Sequence, residues 1–264
     1  MRAGGLGELL DLAVDLCHAA GRVVEEGAGR ARVAVDTKST RTDMVTEVDR
    51  ASERLVVERL RVERPHDAIL GEEGTASAGV SGVQWFIDPI DGTTNFLYGF
   101  PSYAVSVAAE VDGVPTVGVV YDPVHHETFT ALRGSGAFLD GERLSVGGGA
   151  ADLATALVGT GFSYDAANRR QQAEELAYVL PAVRDIRRAG SAASDMCWTA
   201  AGRLDCYFER GVQPWDVAAG IVIATEAGLL VDRLEDGTIV TAPPQLFEPL
   251  CELLNRARSR ARGE

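Results

Sequence analysis

Cysteine, histidine and long apolar runs are all scarce in this chain. Its 264 residues include four cysteines and four histidines, and the cysteines are scattered with no CxxC pair. That spacing excludes a compact disulfide framework and predicts reduced thiols. No segment reaches about 18 uncharged apolar residues, so we expect no membrane span. The first residues show no basic region followed by an apolar run, and we therefore expect a cytoplasmic protein.

Basic residues are also few. The chain has 25 Lys and Arg against 39 Asp and Glu, which gives a formal net charge of −14. Such a surface repels the phosphates of nucleic acid and of anionic lipid, so we expect neither as a direct partner. An acidic enzyme that acts on an anionic substrate needs a local positive charge. A bound divalent metal would supply that charge and would also explain clustered carboxylates.

Apolar spacing predicts an α+β half followed by an α/β half. The predicted helices cover residues 8–26, 49–63, 170–180, 194–201, 217–227 and 246–258. The predicted strands cover residues 84–87, 103–111, 116–121, 128–132, 137–139, 156–159, 205–209 and 229–232. Asp-Gly pairs at 112–113 and 140–141 predict hairpin turns. The glycines at 147–149 predict a boundary between lobes 1–149 and 150–264 of one two-lobed unit.

Two aspartates three residues apart follow the buried strand at 84–87. Asp88 and Asp91 flank Pro89, which stiffens the corner, and Gly92 permits a tight turn. Two carboxylates at the end of a rigid strand suit hard cations, and the amides after Asp91 would offer a phosphate site at a helix N-terminus. Alone, Asp-Pro-x-Asp-Gly would more often be a simple turn. The preceding strand and the following Thr93-Thr94-Asn95-Phe96 favour the metal site.

Three further acidic segments each have two interpretations. Glu72 and Glu73, in Gly71-Glu72-Glu73, are either two solvated loop acids or two adjacent charges whose repulsion a bound metal would relieve. Asp216 caps the helix that follows it, or binds metal, or does both. Asp49 caps its helix together with Thr46, or orients a water with Thr93. The GxG of the 159–164 segment lacks the third glycine of a dinucleotide motif and is interpreted as lining the substrate cleft.

In their order and spacing, three segments resemble the inositol monophosphatase family of magnesium-dependent, lithium-sensitive phosphatases. They are Gly71-Glu72-Glu73, the Trp85 to Phe96 segment with both aspartates, and Trp215-Asp216-Val217-Ala218-Ala219-Gly220. The resemblance covers about residues 38–230. It implies the layered αβαβα sandwich of the inositol monophosphatase and fructose-1,6-bisphosphatase type. It also implies an active site between the two lobes and a homodimer.

The resemblance implies two to three Mg²⁺ ions and a role for each site residue. The implied ligands of the first Mg²⁺ are Glu72, Asp88 and the carbonyl of Ile90, and those of the second are Asp88, Asp91 and Asp216. Glu72 would also touch a third, weaker site and, with Asp49 and Thr93, is assigned to catalysis. The implied substrate contacts are Asp91, Gly92, Thr93, Gly190, Ser191, Ala192, Glu209 and Asp216. Lys38 aligns with a basic residue near the site.

The implied reaction is hydrolysis of a small phosphate monoester, with inositol 1-phosphate as the first choice. No histidine falls within the motifs, which agrees with direct attack by water. Glu209 favours a hydroxyl-rich leaving group, because a carboxylate accepts hydrogen bonds from hydroxyls. Fructose 1,6-bisphosphate, with Arg187, Arg188 or the pair Arg169-Arg170 as the extra basic group, and histidinol phosphate are alternatives. A regulatory partner of the transcription machinery is an alternative of another class, against which the complete set of acids argues.

Overall fold

A computed structural model describes residues 3–28, 35–37, 44–147 and 149–263. Lys38 lies outside the described residues. The helices are α1 Ala3–Gly27, α2 Glu47–Glu63, α3 Thr93–Tyr98, α4 Ala166–Val179, α5 Ala192–Ala200, α6 Pro214–Ala227 and α7 Pro244–Arg262. The first strands are β1 Val35–Thr37, β2 Met44–Thr46, β3 Ala68–Gly71, β4 Ala76–Ser77, β5 Val83–Asp91, β6 Ala104–Val111 and β7 Val114–Asp122. The others are β8 Glu127–Leu132, β9 Gly136–Leu139, β10 Glu142–Arg143, β11 Leu157–Thr160, β12 Asp185–Arg187, β13 Cys206–Arg210, β14 Leu230–Arg233 and β15 Thr238–Ala242.

Two large sheets organise the described residues. The first has eight strands in the order β10-β9-β8-β7-β6-β5-β3-β4, antiparallel except where β3 runs parallel to β5. The predicted Asp112-Gly113 turn joins β6 to β7, and both residues have positive φ, 52° and 76°. Positive φ at both turn residues is the backbone conformation that a two-residue hairpin loop prefers. The second sheet has the order β12-β11-β13-β15-β14, with β11 parallel to both of its neighbours.

Three apolar cores stack these sheets into five layers. The first core lies between α1 and α2 and one face of the first sheet, around Leu16, Leu60 and Trp85. The second lies between the other face of that sheet, the helices α5 and α6, and the inner face of the second sheet. The third lies between the outer face of the second sheet and α4 and α7. The order is therefore αβαβα, as the resemblance implied.

Helix α6 sits in the middle layer and touches the first sheet backbone to backbone. A Cβ on Gly118 of β7 would lie 2.4 Å from the carbonyl oxygen of Ala219, so only glycine allows this approach. Helix α6 carries Asp216, and its close packing therefore fixes that carboxylate relative to the first sheet.

Several predicted boundaries need correction. Helix α6 begins at Pro214 with Gln213 as its N-cap, so Asp216 lies in the first turn and not before the helix. Proline suits a first helical position because its missing N–H would be unbonded there anyway. The strands β3, β12 and β15 were not predicted. Strand β15 was missed because Thr238 and Thr241 interrupt its apolar pattern, although all five residues are buried.

All four cysteines are buried and unbonded to one another. Burial raises the pKa of the Cys206 thiol to about 12. Cys17 packs its sulfur against the carbonyl oxygen of Val119 at 3.5 Å, and burial raises its pKa as well. The prediction of reduced thiols is consistent with this arrangement. Among the described residues, no helix combines the length and the apolarity that crossing a bilayer requires.

Candidate active site

The centre of the site is the end of β5. The pairing of β5 with β6 shifts register between Asp88 and Asp91, so two residues oppose one across the ladder. Such a bulge re-aims side chains, and Pro89 is tolerated within it because no ladder donor is required there. The amide of Ile90 donates to Asp88 Oδ1 at 3.1 Å and holds the corner. Both aspartates thereby line one cavity.

Gly92 turns the chain from β5 into α3 with a φ of 97°. A Cβ at this position would lie 3.0 Å from the carbonyl oxygen of Ser102 and 3.1 Å from that of Gly190. Three backbone segments therefore converge where only glycine fits without strain. Asn95 ties the same segments together, since its Nδ2 donates to the carbonyls of Ser102 at 2.6 Å and Ala189 at 2.7 Å.

Asp91 joins the first sheet to α5. Its Oδ2 accepts from the amide of Ala193 at 2.6 Å and from the Ser191 hydroxyl at 2.8 Å. A carboxylate suits this position because the first amides of a helix are donors without partners inside the helix. Burial raises the pKa of Asp91 to about 7, although both donors act in the opposite direction.

Asp49 and Thr93 form a buried pair in which Thr93 lines the cavity and Asp49 stands behind it. The Thr93 hydroxyl lies 2.9 Å from Asp49 Oδ1 and 3.1 Å from the carbonyl oxygen of Ile90. Asp49 Oδ2 accepts from the amide of Thr46 at 2.8 Å and also from its hydroxyl, completing the predicted capping box. Burial raises the pKa of Asp49, whereas the bonds from Thr46 and Thr93 lower it. Capping and contact with Thr93 coexist because each uses a different oxygen.

Glu72 and Asp216 reach the same cavity from two other elements. The amide of Glu72 donates to the carbonyl of Ile87 at 3.1 Å, which sets the residue after β3 beside β5. The amide of Gln213 donates to Asp216 Oδ2 at 2.7 Å at the start of α6. Three segments distant in sequence thus deliver these acids to one place: the residue after β3 carries Glu72, the end of β5 carries Asp88 and Asp91, and α6 carries Asp216.

These acids repel one another. Burial and the negative charges of Glu72, Asp91 and Asp216 raise the pKa of Asp88 well above its usual range. Burial and the charge of Asp91 do the same to Asp216. In the part of the chain that the structure describes, no three acidic, imidazole or thiol groups form a ready-made ligand cluster. The carboxylates instead face a shared cavity of about 450 Å³. Hard oxygen donors around an excess of negative charge fit a divalent cation such as Mg²⁺.

The opposite wall of the cavity is formed by the second half of the chain. It includes Phe162, Ser163 and Tyr164, as the sequence predicted for the 159–164 segment, and also Gly190, Ala192 and Glu209. The Tyr207 hydroxyl donates to Glu209 Oε2 at 2.8 Å. A Cβ on Gly161 would lie 2.0 Å from that same oxygen, so the carboxylate packs directly on the chain at Gly161.

The structure brings most of the predicted site residues to the cavity surface. The lining includes Glu72, Asp88, Ile90, Asp91, Gly92, Thr93, Gly190, Ala192, Glu209 and Asp216. Asp49 and Ser191 stand behind the wall, where they are hydrogen-bonded to Thr93 and Asp91 respectively. The lining also includes Arg210, Val212, Gln213 and Trp215, which the sequence analysis did not assign. Trp215 belongs to the Asp216 motif and Gln213 lies two residues before it, so their closeness in sequence to Asp216 was an available signal.

A five-layered sandwich with a carboxylate-lined cavity between its halves is the architecture of a class of phosphatases. The model of the inositol monophosphatase family matches residues 6–258 of this chain. The chain belongs to that family.

Named relatives and solved structures agree with this assignment. The Mycobacterium tuberculosis inositol-1-monophosphatase SuhB is 47% identical over 243 residues, which is 87% of this chain and 84% of the relative. The Pasteurella multocida protein named Nus factor SuhB is 41% identical over 257 residues, 94% of this chain and 95% of the relative. The Mycobacterium tuberculosis SuhB structure has a TM-score of 0.83 at 43% identity and covers 95% of this chain and 97% of its own. The Thermotoga maritima IMPase structure has a TM-score of 0.88 at 31% identity, with coverages of 96% and 99%.

Proposed function

We propose that this protein is a Mg²⁺-dependent phosphatase of small phosphate monoesters, with inositol 1-phosphate as the first candidate substrate. The observation that carries the proposal is the meeting of four acids from three separate segments across a cavity from Glu209. An anionic substrate would not enter such a cavity unless cations offset the carboxylates.

Two to three Mg²⁺ ions would be held by residues that all present oxygen. Glu72, Asp88 and the Ile90 carbonyl would hold the first ion, and Asp88, Asp91 and Asp216 the second. A third, weaker site would use Glu72. Bound Mg²⁺ activates water and offsets charge on the attacking and leaving oxygens of a phosphoryl transfer. Asp88 would contribute to both ions, which agrees with the charges of Glu72, Asp91 and Asp216 that raise its pKa.

The water that attacks phosphorus would be aligned by Thr93 and Asp49. The Thr93 hydroxyl has a single proton, and its donation to Asp49 would leave the oxygen able to accept from a water in the cavity. Asp49 is the buried acceptor that fixes this orientation. The turn at Gly92 and Thr93 would bind the phosphate through amides at the start of α3.

The leaving group would occupy the wall that carries Gly190, Ala192 and Glu209. Ser191 caps α5 and is bonded to Asp91, so it would hold the backbone around it in place for the polyol. Glu209 would accept hydrogen bonds from ring hydroxyls. Arg188 also lines the cavity, which keeps fructose 1,6-bisphosphate as the second candidate, since its second phosphate would want a cation. Histidinol phosphate is the third.

The assembly and location of the protein are part of the same proposal. We propose a cytoplasmic homodimer without membrane or direct nucleic-acid partners. The relatives named Nus factor support one candidate of another class, a regulatory partner of the transcription machinery. A pull-down that recovers no polymerase-associated factor would exclude that candidate.

Phosphate release tests the proposal. The purified protein is assayed with Mg²⁺, with and without lithium, on inositol 1-phosphate, fructose 1,6-bisphosphate, histidinol phosphate and 3′-phosphoadenosine 5′-phosphate. We expect fast, lithium-inhibited release from inositol 1-phosphate. Release from another substrate alone would keep the metal chemistry and overturn the role assigned to Glu209. No release from any substrate would contradict the proposal as a whole.

A further inference from the structure

One face of helix α2 touches two of the three segments that deliver the acids, namely the end of β5 and the loop that carries Glu72. Asp49, Ser52 and Glu53 are spaced three and four residues apart, which places them on one side of the helix, and all three are buried. Asp49 bonds to Thr93, and the Ser52 hydroxyl donates to the carbonyl of Pro89 at 3.4 Å. These two contacts anchor the helix to the turn after β5. Glu53 points instead at the other acidic segment.

The Glu53 carboxylate fills the inside of the loop that carries Glu72. Its Oε2 accepts from the amide of Glu73 at 2.7 Å. Its Oε1 accepts from the hydroxyl of Thr75 at 2.6 Å and from the amide of Thr75 at 3.3 Å. The amide of Gly71 closes the loop by donating to the carbonyl of Thr75 at 2.7 Å. Glu72 therefore lies between Glu73, whose amide is bonded to Glu53, and Gly71, whose amide closes the loop.

Gly71 is shaped to this carboxylate. A Cβ there would lie 2.6 Å from both Cδ and Oε2 of Glu53, closer than real side chains approach. The Glu53 carboxylate cannot simply swing aside to relieve that contact, because three donors hold it. The absence of a side chain at Gly71 thus allows this segment to pack directly against the Glu53 carboxylate.

We propose that Glu53 is a positioning residue that holds the Glu72 loop at the distance from Asp88 and Asp91 that Mg²⁺ binding requires. This inference rests on the proposed function. Helix α2 would then set the relative placement of two acidic segments that reach the cavity from different strands. Loss of such an outer partner typically costs about 10–100-fold in metal affinity or activity.

Three variants and one control test the role. Glu53→Gln keeps the shape of the side chain but replaces one acceptor oxygen by a donor, so it cannot accept from all three partners. Glu53→Ala removes the carboxylate. Gly71→Ala leaves Glu53 in the chain but displaces its carboxylate. Glu58→Gln is the matched control, since it removes the same charge from an exposed position on the same helix.

The first readout needs neither metal nor substrate. Hydrogen exchange of the metal-free protein reports the amides of residues 71–75. We expect faster exchange there in Glu53→Gln and Gly71→Ala, and no change in Glu58→Gln. Unchanged exchange in both variants would overturn the claim that Glu53 holds the loop.

The second readout is metal binding, measured with Mn²⁺ by electron paramagnetic resonance and with Mg²⁺ by titration calorimetry. We expect a dissociation constant about 10–100-fold higher in Glu53→Gln, and wild-type binding in Glu58→Gln. In phosphate release, the half-saturating Mg²⁺ concentration should rise by the same factor, and kcat should recover at saturating Mg²⁺. A purely structural role would instead lower the fraction of folded protein and leave this Mg²⁺ concentration unchanged.

The outcomes separate this inference from the proposed function. If the wild-type protein binds no Mn²⁺ or Mg²⁺, the proposed function fails and the inference fails with it. If the wild type binds metal and Glu53→Gln binds it equally tightly, only the inference is overturned. Gly71→Ala should also add little to Glu53→Ala in the double variant, because the alanine Cβ would then meet no carboxylate. Additive losses would contradict the contact proposed between these two residues.

Discussion

Replacement of Thr93 by valine should slow catalysis without disturbing the fold. The change removes the hydroxyl that lies 2.9 Å from Asp49 Oδ1 and keeps the size of the side chain. A hydrogen bond to a charged group contributes about 1.5–3 kcal/mol. Each 1.36 kcal/mol corresponds to a tenfold change in rate, so kcat should fall by about 10–150-fold.

The pH dependence should change in a defined direction. Burial raises the pKa of Asp49, and the hydrogen bond from Thr93 lowers it. Removal of that bond raises the pKa of Asp49 further. In the proposed mechanism Asp49 would act in its ionised form, so the acid limb of the kcat profile should move to higher pH in Thr93→Val. Thr93→Ser keeps the hydroxyl and should restore both the rate and the position of that limb.

The assay is the initial rate of phosphate release at saturating Mg²⁺ and substrate over a series of pH values. Thermal unfolding and Mg²⁺ titration of each variant serve as controls for the fold and the metal sites. A Thr93→Val enzyme with the wild-type kcat and the wild-type acid limb would refute the water-orienting role. The same conclusion would follow if Thr93→Ser were as slow as Thr93→Val.

Three other variants test the metal site and the packing that supports it. Asp216→Asn should abolish turnover and weaken Mg²⁺ binding while the far-ultraviolet circular dichroism stays unchanged; a near-wild-type rate would show that Asp216 is no ligand. Gly118→Ala should lower the free energy of unfolding by about 1–3 kcal/mol, because β7 and α6 must separate at Ala219. A melting temperature equal to that of the wild type would contradict that contact. Asp67→Asn should lower the free energy of unfolding by about 1.5–3 kcal/mol at neutral pH, since the Asp67 carboxylate accepts a hydrogen bond from the indole of buried Trp85 at 2.9 Å. Hydrogen bonds hold the pKa of Asp67 below its usual value. The stabilisation by the Asp67 carboxylate is therefore present above its unfolded pKa of about 3.9 and is lost as pH falls through its pKa in the folded protein. In urea unfolding, the difference in unfolding free energy between wild type and variant should shrink over that pH range.

Local chemistry was enough to predict the parts of the site that are contiguous in sequence. The run from Trp85 to Phe96 contains a strand followed by a glycine turn, and residue types adjacent in sequence predict both. The capping box of Thr46 and Asp49 likewise depends only on two residues that are three positions apart in the sequence. The hairpin at Asp112-Gly113 was predicted for the same reason.

Contacts between distant segments were not predictable in this way. Nothing near Asp91 indicates that its carboxylate will meet the amide of Ala193 in another layer. Glu53 lies in an amphipathic helix, where a glutamate is normally expected to face solvent, and only the packing of the Glu72 loop buries it. The early start of α6 was missed because Pro214 was not taken as a first helical residue. For Asp91 and Glu53 the deciding interaction is tertiary, whereas the start of α6 had a local signal in Pro214.

The burial of every thiol makes this chain a convenient background for site-directed labelling. Maleimides and similar reagents attack the thiolate, and burial disfavours the thiolate at Cys17, Cys197 and Cys206. A cysteine introduced at an exposed position would then be the main reactive thiol of the folded protein. Val80 after β4 and Tyr178 in α4 are exposed and lie in different halves of the sandwich. Fluorophores attached at these two positions would report the distance between the halves as metal and substrate bind, without prior removal of any native cysteine.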